Sequence, residues 1–171
     1  MNQYHLQGDQ TALDPEFMKS IVIDGNNLIY KVPGLKNKFR ENKQAAVLSL
    51  IESIRTKIKR IRVIFVFDGY GEQDINSVIF SGSLTADEVI RKFIEDNYEK
   101  NELTVVSSDK GITNLAKICG CEVKNSENFW NEINHASSGK VKTGKDELNS
   151  EGEKPDRISK KDLNEFKKYF S

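Results

Sequence analysis

The sequence predicts an α/β domain built on a mainly parallel sheet, and three observations carry that prediction. Residues 20–24 (SIVID), 62–68 (RVIFVFD) and 103–107 (LTVVS) are short runs rich in β-branched side chains. They do not alternate apolar with polar, so they read as strands covered on both faces, which is the habit of parallel sheets. Between the first two, Val47, Leu50, Ile51, Ile54, Ile58 and Ile61 recur at three- and four-residue spacings. Such spacing lines one face of a helix of about 16 residues and completes a βαβ unit.

The remaining elements follow in order. After a turn holding Gly69 and Gly71, residues 77–81 (SVIFS) add a strand that Gly82-Ser83 closes. The next helix opens at Thr85, because T-A-D-E has the spacing that lets the Thr hydroxyl and the Glu88 carboxylate cap one another's amides. Val89, Ile90, Phe93 and Ile94 form its buried face. The strand at 103–107 leads into Ser108-Asp109 and a helix around residues 113–118 that stops at Gly120. Residues 121–124 supply a further strand, and residues 126–136 a helix that buries Phe129, Trp130 and Ile133.

The ends behave differently. Residues 1–17 lack a periodic apolar pattern and precede Met18, as an appended leader or a disordered arm does. Residues 137–157 are polar and rich in Gly and Ser, which predicts a flexible linker. Residues 158–171 carry Leu163, Phe166 and Phe170 as an apolar stripe on a short helix, docked in cis or on a partner. The domain proper is then residues 18–136, and with 37% apolar content it has material for one core. No apolar run is long enough to span a membrane and no signal pattern opens the chain, so a cytoplasmic protein is expected. Cys119 and Cys121 are too close together to staple the fold and lack partners for a zinc site.

Charge is unevenly placed. Residues 31–62 hold ten Lys and Arg against Glu41 and Glu52, a local balance of +8, whereas residues 68–102 carry −6. A basic surface beside an acidic pocket suits a polyanion held by its phosphates, although solvated helix faces of opposite sign would look the same. In a parallel sheet, ligands collect beyond the carboxyl ends of the strands. Asp24 and Asp68 end two strands, Asp109 follows a third, and Asp87 lies in the first turn of a helix. Asp87 has a structural explanation in the helix dipole, and Asp68 in the turn at Gly69. Together, crowded carboxylates repel unless a cation lies among them, and an all-oxygen set suits Mg²⁺ or Mn²⁺. There is no P-loop, no G-x-G-x-x-G and no G-x-S-x-G, so an organic cofactor or a serine nucleophile is not expected. His5 and His135 are poorly placed as bases, which leaves metal-activated water as the route to a phosphodiester.

The motifs I-D-G-N-N-L-I at 23–29, V-F-D-G at 66–69, T-A-D-E-V-I at 85–90 and V-S-S-D at 106–109 occur in the order found in one family. The chain resembles the YacP-like NYN domains, relatives of the PIN-domain nucleases, from about Met18 to His135. That resemblance implies a PIN-like three-layer α/β/α sandwich and metal-dependent endoribonuclease activity that leaves a 5′-phosphate. In some members it implies action on mRNA at the ribosome. Carried over by position, Asp24, Asp87 and Asp109 bind the metal, Asp68 is an outer member, and Asn27 matches the family's Asn. One departure is Asn26, where these proteins usually have Tyr. Asn27 and Ser108 are expected to orient water or phosphate, and Lys31, Lys36, Lys38, Arg40 and Lys43 to contact the RNA backbone. The main rival is a non-catalytic RNA- or ribosome-binding module of the same fold. A receiver-type phosphoacceptor is disfavoured because Asp24 lacks a neighbouring acid, and a haloacid-dehalogenase phosphatase because Asn26 replaces the second Asp of D-x-D.

Overall fold

The computed structural model describes residues 19–71, 75–99 and 102–135. The leader, the linker and the C-terminal helix expected from the sequence lie outside the described residues. Five strands, β1 (Lys19–Asp24), β2 (Arg62–Phe67), β3 (Val78–Phe80), β4 (Glu102–Val106) and β5 (Glu122–Lys124), form one sheet in the order β3-β2-β1-β4-β5. Every neighbouring pair is parallel, so the sheet is wholly rather than mainly parallel among the described residues. β1 is central, and from it the chain winds outward first through β2 and β3, then back across to β4 and β5. The connections therefore leave β1 and β4 in opposite directions, and a crevice opens where they part.

Among the described residues six helices cover the sheet: α1 (Gly25–Lys31), α2 (Leu35–Glu41), α3 (Lys43–Arg55), α4 (Ala86–Asn97), α5 (Lys110–Ile118) and α6 (Ser126–His135). Side chains alternate across the pleat, so each strand feeds two cores. Ile21, Ile23, Val63, Phe65 and Phe67 pack with Leu28 and Ile29 of α1, Leu50 and Ile54 of α3 and Phe129 of α6. Val22, Ile64, Val66 and Val105 pack on the other face with Ile90 and Ile94 of α4 and Ile112 and Ala116 of α5. Burial on both faces explains the unbroken apolar runs, and the result is the three-layer sandwich.

The main difference from expectation lies between β1 and β2. The helix expected to run through Ile61 is α3, which starts at Lys43 and ends at Arg55. Its last turn tightens, with Lys57 donating to the Ile54 carbonyl, and Arg60 then adopts a left-handed φ of 65°. Ile58 and Ile61 still pack against the first core, but from a loop. Ahead of α3, two short helices occupy residues whose Gly, Asn and Pro content disguises them. α1 exists because Asp24 caps it and Leu28 and Ile29 are driven into the core. α5 likewise begins three residues earlier than expected, with Asp109 as its cap.

Candidate active site

Asp24 closes the central strand and is 5% exposed. Its Oδ1 accepts from the Asn27 amide at 3.0 Å, capping α1, and its Oδ2 accepts from the Ser107 hydroxyl at 3.0 Å. These bonds favour the charged form but do not offset the loss of water. Burial, with the nearby charges of Asp87 and Asp68, raises its pKa from 3.8 to about 6.

Asp68 and Asp109 follow the neighbouring strands β2 and β4, and Asp87 lies in the first turn of α4. Asp109 caps α5 through Oδ1, which accepts from Ile112 N at 2.9 Å, while its own amide donates to Ser107 Oγ at 3.0 Å. Ser107 thus joins Asp24 to Asp109 through one hydroxyl. Asp68, just beyond β2, accepts from Ala86 N at 2.7 Å through Oδ1 and so fastens the start of α4. The Thr85–Glu88 capping box is present as predicted, and Asp87 follows Ala86 in the first turn. The Asp87 pKa is raised, chiefly by burial and then by Asp109, with Asp68 adding to the effect and Arg91 opposing it. Charge repulsion therefore connects Asp87 with each of the other three acids.

Asn26, the departure from the family pattern, has a defined role, because its Oδ1 accepts from Asp68 N at 2.9 Å. It ties the loop after β2 to the first turn of α1, which a tyrosine could not do in the same way. Asn27 is also committed. Its Oδ1 accepts from Ser126 Oγ at 2.8 Å and from Ser108 N at 3.3 Å, while Ser108 Oγ accepts from Ser126 N at 3.3 Å. Asn27 and Ser108 are thereby joined to α6 at the margin of the crevice.

The expected RNA-binding cations are only partly gathered there. Lys43 reaches the crevice, donating from Nζ to the Asp68 carbonyl at 2.7 Å. Lys36 lies over the exposed Tyr30 ring at 5.8 Å, and Lys38 donates to Ser49 Oγ, so both belong to the flank formed by α1, α2 and α3. Lys31 and Arg40 are exposed on the same helices. Arg55 and Arg62 sit instead at the opposite edge of the sheet, where they line a cavity with Ile58, Ile61 and Ser77. Sequence reasoning missed Arg91. It follows Asp87 by four residues and so shares its helix face, a spacing that could have pointed to it.

The acids fit a lightly held metal rather than a caged one. The donor set is oxygen only, and its most buried member carries a raised pKa. Among the described residues, however, no three acidic, His or Cys side chains stand close enough to form a ready ligand shell.

Comparison with known proteins fixes the family. The model of the YacP-like NYN domain matches residues 21–171. The chain belongs to that family. The match continues past His135 over the stretch expected to hold the linker and last helix. Two solved structures of Rae1 (YacP) from Bacillus subtilis, the wild type and a mutant with one tryptophan replaced by leucine, are similar to this NYN domain at 26% identity. The mutant aligns with a TM-score of 0.60 over 70% of this chain and 77% of that one, and the wild type with 0.59 over 70% and 76%. No curated protein sequence matches. Family and fold together make this a PIN-like nuclease fold. Among the described residues, no helix is long and apolar enough to cross a membrane.

Proposed function

We propose that this NYN domain is a metal-dependent endoribonuclease, with Asp24, Asp87 and Asp109 holding Mg²⁺ or Mn²⁺ directly and through water and Asp68 at the margin of the site. The observation that carries the reading is Asp24: a carboxylate on the central strand, buried and pressed by two others. Burial of like charges is costly for a fold and is relieved by a cation. A bound ion supplies an acidified water as nucleophile and offsets charge on the phosphate.

The chain's own residues then have separable roles. Ser107 and the Asn27 amide fix the orientation of the Asp24 carboxylate. Asn26 and Ala86 fix Asp68, and through it the start of α4 and Asp87. Asn27 commits Oδ1 to the scaffold and keeps its amide protons to donate to a phosphate oxygen, and the Ser108 hydroxyl proton is similarly placed. Lys31, Lys36, Lys38, Arg40 and Lys43 hold the RNA backbone along one flank without reading its sequence. The RNA is mRNA and the ribosome its place of action, an extension that rests on the family resemblance.

The deciding experiment incubates end-labelled RNA with the protein in Mn²⁺, in EDTA, and as Asp24→Asn or Asp109→Asn. Cleavage is expected only by the unsubstituted protein in Mn²⁺, and equal cleavage in all four reactions overturns the reading. A translating extract run beside naked RNA tests the ribosome: cutting confined to the extract supports it, and equal cutting of naked RNA removes the need for it. RNA bound by the unsubstituted protein but cut in neither setting identifies the non-catalytic module instead.

A further inference from the structure

Arg91 stands in an unusual place. A Cβ built on Gly111 would lie 2.3 Å from Arg91 Nη2 and 3.1 Å from Asp109 Oδ1. The guanidinium therefore lies over the bare backbone at the start of α5, in space that any side chain at 111 would claim, and against the same spot as the Asp109 carboxylate. It reaches there from α4, one turn beyond Asp87. Among the described residues the ion pairs are Lys19–Glu102, Lys124–Glu122 and Lys124–Glu132, so Arg91 closes none with Asp87 or Asp109. An arginine that merely neutralised these acids would be expected to pair with one of them. This one reaches from α4 over the start of α5 and makes no hydrogen bond or ion pair among the described residues, while its charge still opposes the raised pKa of Asp87. Lys43, at the start of α3, is a second cation near the acids, anchored to the Asp68 carbonyl.

We propose that Arg91 is a substrate-contacting residue that grips the RNA phosphate at the crevice through paired N–H donors, with Gly111 as the residue that makes room for it. The proposal rests on the nuclease reading of the same site. A guanidinium matches two phosphate oxygens at once, whereas an ammonium offers a point charge. Donors fixed in advance against charge that develops during displacement act mainly on turnover.

The test separates this role from that of a positioning residue for Asp87. Arg91→Ala is expected to lower kcat about 100-fold at saturating Mn²⁺, with unchanged thermal melting, and Arg91→Lys to recover only part of it. Removing a cation from beside the acids should leave Mn²⁺ binding, measured by calorimetry on the protein alone, as tight or tighter. A readout independent of activity uses a fluorescent single-stranded oligonucleotide bound to Asp24→Asn protein. Adding Arg91→Ala should reduce the slope of log affinity against log salt by about 1. Gly111→Ala, which displaces the guanidinium without removing it, should reproduce the turnover defect. Wild-type turnover in Arg91→Ala, or a defect cured by more Mn²⁺, overturns the proposal. If Asp24→Asn still cleaves like the unsubstituted protein, the nuclease reading fails first.

Discussion

Asp24 illustrates how one residue couples function to a stability cost. Its pKa is 3.8 when solvated and about 6 in the fold. Below 3.8 it is protonated in both states and contributes nothing. As pH rises from there to about 6 the unfolded chain ionises first, so the folded state loses relative stability, and above that the penalty is constant at about 3 kcal/mol. Asp24→Asn should therefore melt higher than the unsubstituted protein at about pH 7.5 in EDTA, with the gap closing as pH falls to about 4. Mn²⁺ should raise the melting temperature of the unsubstituted protein and much less that of the variant, because only a ligand of the folded state stabilises it. Asp68 differs, since it is exposed where Asp24 is buried, although its Oδ1 likewise accepts from a helix amide. Asp68→Asn, which keeps an acceptor, should reduce cleavage less than tenfold where Asp24→Asn abolishes it, as measured by initial rates in Mn²⁺. The sequence placed Asp68 last among the acids because the turn at Gly69 alone could explain it, and its exposure beyond β2 is the feature this comparison tests.

Elements were legible where their own pattern announced them. The strands at 19–24, 62–67 and 102–106 were readable because both faces are covered and their interiors are almost wholly apolar, and the capping box at Thr85 because its signal is local. α1 was not, since Gly25, Asn26 and Asn27 oppose helix on propensity and only the Asp24 cap and the core beneath Leu28 make it form. Contacts of this long-range kind also hid Arg91, whose neighbour Gly111 lies on another helix. Gly25 shows how tightly α1 is seated: a Cβ there would stand 2.3 Å from the Phe67 ring. Gly25→Ala should cost about 1 to 3 kcal/mol in urea denaturation, because a core ring must shift to admit one methyl. It should also weaken cleavage, since α1 carries the amide that orients Asp24.

At the scale of the molecule, the +8 segment divides. α3 has 13 residues, a span of about 20 Å, and carries Lys43 at the crevice and Arg55 at the opposite edge of the sheet. The stretch that looked like one basic surface is two, and only the first borders the acids. Replacing Lys36, Lys38 and Arg40 together by Ala should weaken oligonucleotide binding and flatten its salt dependence, whereas Arg60→Ala with Arg62→Ala should leave both nearly unchanged. Strand order has an outcome of another kind. β1 pairs with β2 on one side and β4 on the other, so Asp24 and Asp68 are synthesised long before Asp109 and the strand that brings it alongside. A nascent chain that has emerged only as far as β3 holds half a crevice, with Ser107 and α5 still to come.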